Sequence, residues 1–212
     1  MKTIKSKTIK SFIFSAVAVA ASFSLSVCVH SANPTEYDTT VENAESLVLE
    51  EGTYDLVKVT TYVWEDETGT CIYAENIEVT VTSENVSEVT VSEVDTYTEK
   101  ATYEEEEAAF SSYANYTFDD ENLTVTITFS DADKEDSKTS DTLENYKESF
   151  FTEKETTSSQ NIEYTNISVN QSEDKKTITR KVNVQEFASG KSSAAGDEPT
   201  NTYTVEWTYT KR

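Results

Sequence analysis

Apolar and polar residues alternate with a period of two along much of this chain. Leu123, Val125, Ile127 and Phe129 alternate with Thr124, Thr126 and Thr128. Tyr203, Val205, Trp207 and Tyr209 alternate with threonines and Glu206. Ile77, Val79 and Val81 alternate with Glu78, Thr80 and Thr82, and Ile178, Val182 and Val184 share a face with Arg180 between them. One apolar face and one threonine-rich or charged face is the pattern of antiparallel strands with one side on a core and one in water. Threonine suits this role because it is β-branched and still polar.

Other stretches keep the alternation with interruptions. From Gly52 to Trp64, Tyr54, Leu56, Tyr62 and Trp64 lie on one face and Val57, Val59 and Val63 on the other, which predicts a central or bent strand. In Val86–Thr98 the parity of Val89 and Val91 is broken at Val94, and Ile162 and Tyr164 are followed by Ile167 and Val169 with a similar slip. Such slips predict bulges or turns. The whole gives eight to nine strands in one domain. Asp119–Asn122 and Asn170–Lys175 read as glycine-free turns. Asp141 with Glu144 three residues on reads as a capping box, followed by Leu143, Tyr146, Phe150 and Phe151 at helical spacing. A weaker helical pattern covers Ala101–Tyr113. The predicted fold is all-β, an antiparallel meandering barrel with one short helix, and a β-sandwich is the alternative.

The first thirty residues depart from this pattern. Lys2, Lys5, Lys7 and Lys10 precede an uncharged apolar run, Phe12–Val29, and a polar chain starts near Asn33. This is the tripartite form of a secretory signal peptide. The alternative is a membrane anchor, because the run is near the minimum of about 17 residues for spanning. Cleavage before Ala32 fits the small residues around His30. Leu25–Cys28 resembles a bacterial lipobox that would acylate Cys28, although Val27 departs from the small residue expected there. The expected organisation is a signal peptide at 1–31, an N-terminal extension at 32–46 and a β domain at 47–212, exported to the cell envelope or medium of a bacterium.

Composition then narrows the chemistry. The 212 residues carry 17 basic and 40 acidic side chains, a net charge of −23. Removing residues 1–31 takes four lysines and no acid, which leaves 13 basic against 40 acidic residues, or −27. That charge opposes nucleic acid and anionic lipid. It also keeps a strand-rich protein soluble. Four glycines, Gly52, Gly69, Gly190 and Gly196, rule out glycine-rich phosphate loops and the G-x-S-x-G elbow. The only histidine, His30, leaves with the signal, so histidine-based triads and zinc sites leave with it. Cys71 then has no histidine partner and reads as a packed small residue. Asp131–Asp136 begins like a calcium loop, but Asp136 and Thr142 stand where an EF-hand needs Gly and Glu. No metal, cofactor or catalytic residue is assigned.

Gly52–Thr53–Tyr54–Asp55–Leu56, together with the Tyr-rich strand that ends in Lys211 and Arg212, resembles the lipocalin-like family of small secreted proteins. In that family the G-x-W entry leads into the first barrel strand, and an Arg after the last strand packs across the Trp. The resemblance implies a barrel closed at Tyr54 by Arg212 or Lys211. It also implies a small apolar ligand held by a non-enzymatic binding protein. Tyr54, Tyr62, Trp64, Trp207 and Tyr209 are the candidate ligand-contacting aromatics, and packed core is the competing role for each. Tryptophan at position 54 and the family's disulfides are missing. Two further readings stay open: an envelope or surface interaction protein without a pocket, anchored through Cys28, and a calcium-stabilised adhesin-like module.

Overall fold

The computed structural model describes residues 39–65, 67–101, 107–131, 136–137 and 140–212. The expected signal peptide, the Ala32 cleavage site, Cys28, most of the Asp131–Asp136 loop and part of the Ala101–Tyr113 helical pattern lie outside these residues.

Strand alternation becomes one antiparallel sheet. Its elements are β1 (Thr39–Thr40), β2 (Gly52–Val63), β3 (Gly69–Val81), β4 (Asn85–Lys100), β5 (Tyr116–Asp119), β6 (Thr124–Asp131), β7 (Asp136–Ser137), β8 (Asp141–Thr142), β9 (Lys154–Thr156), β10 (Gln160–Gln171), β11 (Thr177–Ala188) and β12 (Asn201–Lys211). One short helix, α1 (Leu143–Ser149), lies between β8 and β9. The order across the sheet is β1-β10-β11-β12-β2-β3-β4-β6-β5, with β7 and β8 added to β4 and β9 added to β10. β2–β3, β3–β4, β5–β6 and β10–β11 pair through short hairpins, β11 and β12 through a longer connection, and β2 pairs with β12, the last strand, so that Tyr54 faces Lys211.

The sheet does not close. Among the described strands β5 and β1 remain at opposite ends of the order, so the expected barrel closure is not shown.

Both predicted slips are bulges. Val91 is the extra residue where the β3–β4 register jumps between Asn76 and Ile77. Asn166, in the left-handed region at φ 53°, lies in the shift between Thr165 and Ser168 of β10. Asn tolerates that conformation better than most residues. At the Asp119–Asn122 turn, Asp119 Oδ1 accepts the backbone N–H groups of Glu121 and Asn122, which does the work of a glycine turn. β2 is central in the sheet, between β12 and β3, but its second apolar face stays partly open, with Val57 and Val63 exposed.

The inner face holds the core. Tyr54, Leu56, Val79, Val81, Ile178 and Tyr209 are buried on it. Two segments cover them. Val41, Leu47 and Leu49 come from the chain before β2, and Val41 N–H donates to Val169 O at 3.0 Å. Val41, in the stretch expected as an extension, is thus part of this core. Helix α1 supplies Tyr146 and Phe150, and Phe150 stacks on Tyr209 with ring centres 5.2 Å apart. The helix starts one residue later than expected. Thr142 is its N-cap and accepts from Asn145 N–H, while Asp141 accepts the N–H of Thr142 and the side-chain amide of Asn145.

Phe150 is buried where α1 meets the sheet. Phe150→Ala is expected to lower stability by about 3–5 kcal/mol in urea unfolding. A loss below about 1 kcal/mol would show that α1 does not seal the core.

Candidate functional site

The inner face is divided by a charged rung. Six directly opposed residues make it, in strand order Arg180, Trp207, Lys58, Glu75, Glu93 and Asp131. Charge on a core face must be neutralised or hydrogen-bonded. Arg180 is buried, and its Nε donates to the Phe150 carbonyl at 2.9 Å. Its guanidinium lies 4.4 Å from the Trp207 ring centre and 5.4 Å from that of Tyr164. Burial pulls its pKa down, opposed by nearby Tyr164 and Tyr209. Lys58 Nζ meets Glu75 Oε2 at 2.5 Å.

On one side of this rung lies the sealed core under α1. There Tyr146 Oη donates to Glu88 Oε1 at 2.5 Å and lies 3.1 Å from Tyr209 Oη. Burial pushes the pKa of both tyrosines up, with Glu88 adding to the effect.

The other side is a different surface. The next rung carries Val182, Val205, Thr60, Tyr73, Asp95 and Phe129, and the one beyond it carries Tyr203, Tyr62, Cys71, Tyr97 and Ile127. Val182, Val184 and Val205 are buried, packed by Tyr164, Tyr203 and Trp207. Tyr62, Tyr73, Tyr97 and Tyr203 are only half-buried, and Phe129 is 47% exposed. Tyr62 lies against Tyr203 with ring centres 4.7 Å apart. Tyr97 meets Phe129 edge-on at 5.8 Å and 76°. The tyrosine pKa values are raised here as well, in each case first by burial, and Tyr97 is pushed up to about 12.

The five aromatics expected to contact ligand separate. Tyr54 is in the sealed core, its hydroxyl donating to Glu50 O and accepting from Glu50 N–H, both at 3.0 Å. Tyr209 is buried beside it in the core cluster. Trp207 lies on the charged rung. Trp64 follows β2 and turns its ring onto Gly69, where an added Cβ would run into that ring. Tyr62 alone lies on the half-open surface. Tyr73, Tyr97, Tyr203 and Phe129 complete it. They could have been found from the β2–β3 hairpin register, which sets Tyr62 opposite Cys71, but the bulge at Val91 hides the parity of Tyr97.

At the C terminus, Lys211 is the cation beside Tyr54, bonded to Glu50 Oε2 at 2.6 Å. Arg212, the other candidate to close the barrel floor, turns to the outer face. It bonds Asp55 at 2.6 Å and Glu78 at 2.7 Å, two residues opposed across β2 and β3.

Two grooves of about 160 and 480 Å³ run along β9 and β10. None of the five expected aromatics lines them. Buried Glu163 borders both, and it is held by Ser193 and by Lys154. The Ser193 hydroxyl is the main cause of its lowered pKa. Among the described residues no three His, Cys, Asp or Glu side chains converge as a metal site. Among the same residues no helix is long and apolar enough to cross a membrane. No protein-family model matches the chain, and neither the curated proteins nor the solved structures give a match.

Trp64 packing on Gly69 makes a direct forecast. Gly69→Ala is expected to lower stability by about 1–3 kcal/mol. It should also shift tryptophan emission to the red as the ring is pushed into water. Unchanged stability and emission would contradict this packing.

Proposed function

We propose that this chain is an exported, non-enzymatic binding protein whose recognition surface is the half-open aromatic side of the inner face. The observation that carries the reading is the unequal treatment of that face. Helix α1 and the Val41–Leu49 segment cover one side of the charged rung, while Tyr97 and Phe129 keep water contact on the other. Monomeric soluble proteins rarely leave clustered aromatics exposed without a partner for them. Aromatic side chains bring large contact area at small entropic cost.

Export rests on the basic start and apolar run of residues 2–29. The lipocalin-like reading is supported by the Gly52–Thr53–Tyr54 entry and by the pairing of β2 with β12. In a barrel of that type the ligand would enter through the mouth. In an open sheet it lies along the face. The second reading, an envelope interaction protein anchored at Cys28, draws support from the β10 edge around Thr165–Ser168, which pairs with no strand among the described residues and can template another strand.

The test uses Nile red, a neutral dye that brightens on apolar surfaces. The protein is expected to enhance its emission, and Phe129→Ser and Tyr97→Ser are each expected to reduce that enhancement severalfold. No enhancement, or equal enhancement by the variants, would overturn the reading and favour the envelope interaction protein.

A further inference from the structure

Asp95 lies at the centre of the aromatic surface. It is directly opposed by Tyr73 on β3 and by Phe129 on β6, and Tyr97 follows it on the same face of β4. Directly opposed side chains have Cβ atoms about 4.5–5.5 Å apart. Three aromatic residues are therefore the neighbours of one carboxylate on this face. Two of them are held in place. The Tyr73 hydroxyl bonds Glu93, and the Tyr97 hydroxyl bonds the Cys71 thiol. Tyr97 and Phe129, at 76° to one another, form two walls of a corner.

Among the described residues no base is paired with Asp95, whereas Glu75 has Lys58, Asp55 has Arg212 and Glu163 has Lys154. Its surroundings oppose its charge, first through burial and then through Glu93. A half-buried carboxylate without a cation is an unusual arrangement in a folded protein, since buried charges are normally paired.

We propose that Asp95, with Tyr73, Tyr97 and Phe129, forms a receptor for an organic cation of the quaternary ammonium class. The proposal rests on the aromatic face being the recognition surface and adds the chemistry of what it recognises. A quaternary ammonium spreads its charge under a skin of methyl groups. Such an ion is weakly hydrated and is attracted by aromatic faces within about 6 Å. The carboxylate supplies the opposite charge at the base of the corner. A calcium ion would need six to eight oxygen ligands, and Asp95 with Glu93 cannot provide them. A compact ammonium such as that of lysine is strongly hydrated and gains less from aromatic walls. The net charge of −23 also raises the local concentration of any cation.

Choline is the probe, and 3,3-dimethyl-1-butanol, its uncharged isostere, is the control. In calorimetric titration choline is expected to bind at least about tenfold tighter than the alcohol, a difference of about 1.4 kcal/mol. Asp95→Asn is expected to remove most of this preference. Phe129→Ser, at an exposed position, is expected to weaken choline binding severalfold with the fold unchanged by circular dichroism. Equal binding of choline and the alcohol, no binding of choline, or unaltered binding by Asp95→Asn would overturn the proposal. Nile red separates the two levels. Dye enhancement without choline binding refutes the cation site and leaves the aromatic surface standing, and loss of both refutes both.

Discussion

The rung of charge across the inner face is the constraint on which the rest of this structure depends. A sheet of this width could bury its whole inner face under one apolar core. Arg180, Lys58, Glu75 and Glu93 prevent that, because ionised groups enter a core only with partners. Arg180 meets this demand through the Phe150 carbonyl and the faces of Trp207 and Tyr164. Lys58 meets it through Glu75. Each solution draws on an element from the sealed side or from a neighbouring strand. The rung therefore fixes where helix α1 ends, since the carbonyl at Phe150, just after the helix, is the acceptor for Arg180.

Two surfaces follow from this division. Toward the Tyr54 end, the inner face is aliphatic and aromatic, and Val41, Leu47, Leu49, Tyr146 and Phe150 cover it. Toward the Tyr62 end, no described element supplies an equivalent cover for Tyr97 and Phe129. Sheet closure would have provided one. The sheet stays open because β5 and β1 do not meet, so an aromatic surface that a closed barrel would enclose remains accessible. The cation site at Asp95 lies on this surface, one rung from the boundary.

Much of the fold was legible in the sequence because period-two alternation reports directly on the faces of a sheet. The slips at Val94 and Ile167 marked real bulges, and the Leu143–Phe151 pattern marked a real helix. Closure was not legible. Whether the ends of a sheet meet depends on twist and shear accumulated over many strands, and no local pattern carries that quantity. The site was only partly legible for a related reason. Tyr54 and Tyr209 have the same alternation as Tyr62 and Tyr203. Their burial is decided by the segments that cover the core, Val41–Leu49 and α1, and the α1 rings that pack on Tyr209 are remote from it in sequence. Arg180 was visible as an interruption in an apolar face, but the partners that make it a boundary come from β10, β12 and the end of α1.

The division of the inner face can be measured directly by hydroxyl-radical footprinting with residue-level mass spectrometry. Phe129 and Tyr97 are expected to be modified fast, with Tyr54, Tyr146, Tyr209 and Phe150 protected at least about tenfold by their burial. Equal protection of the two groups would show that the aromatic side is covered, and it would contradict the claim that the charged rung separates a sealed core from an open recognition surface.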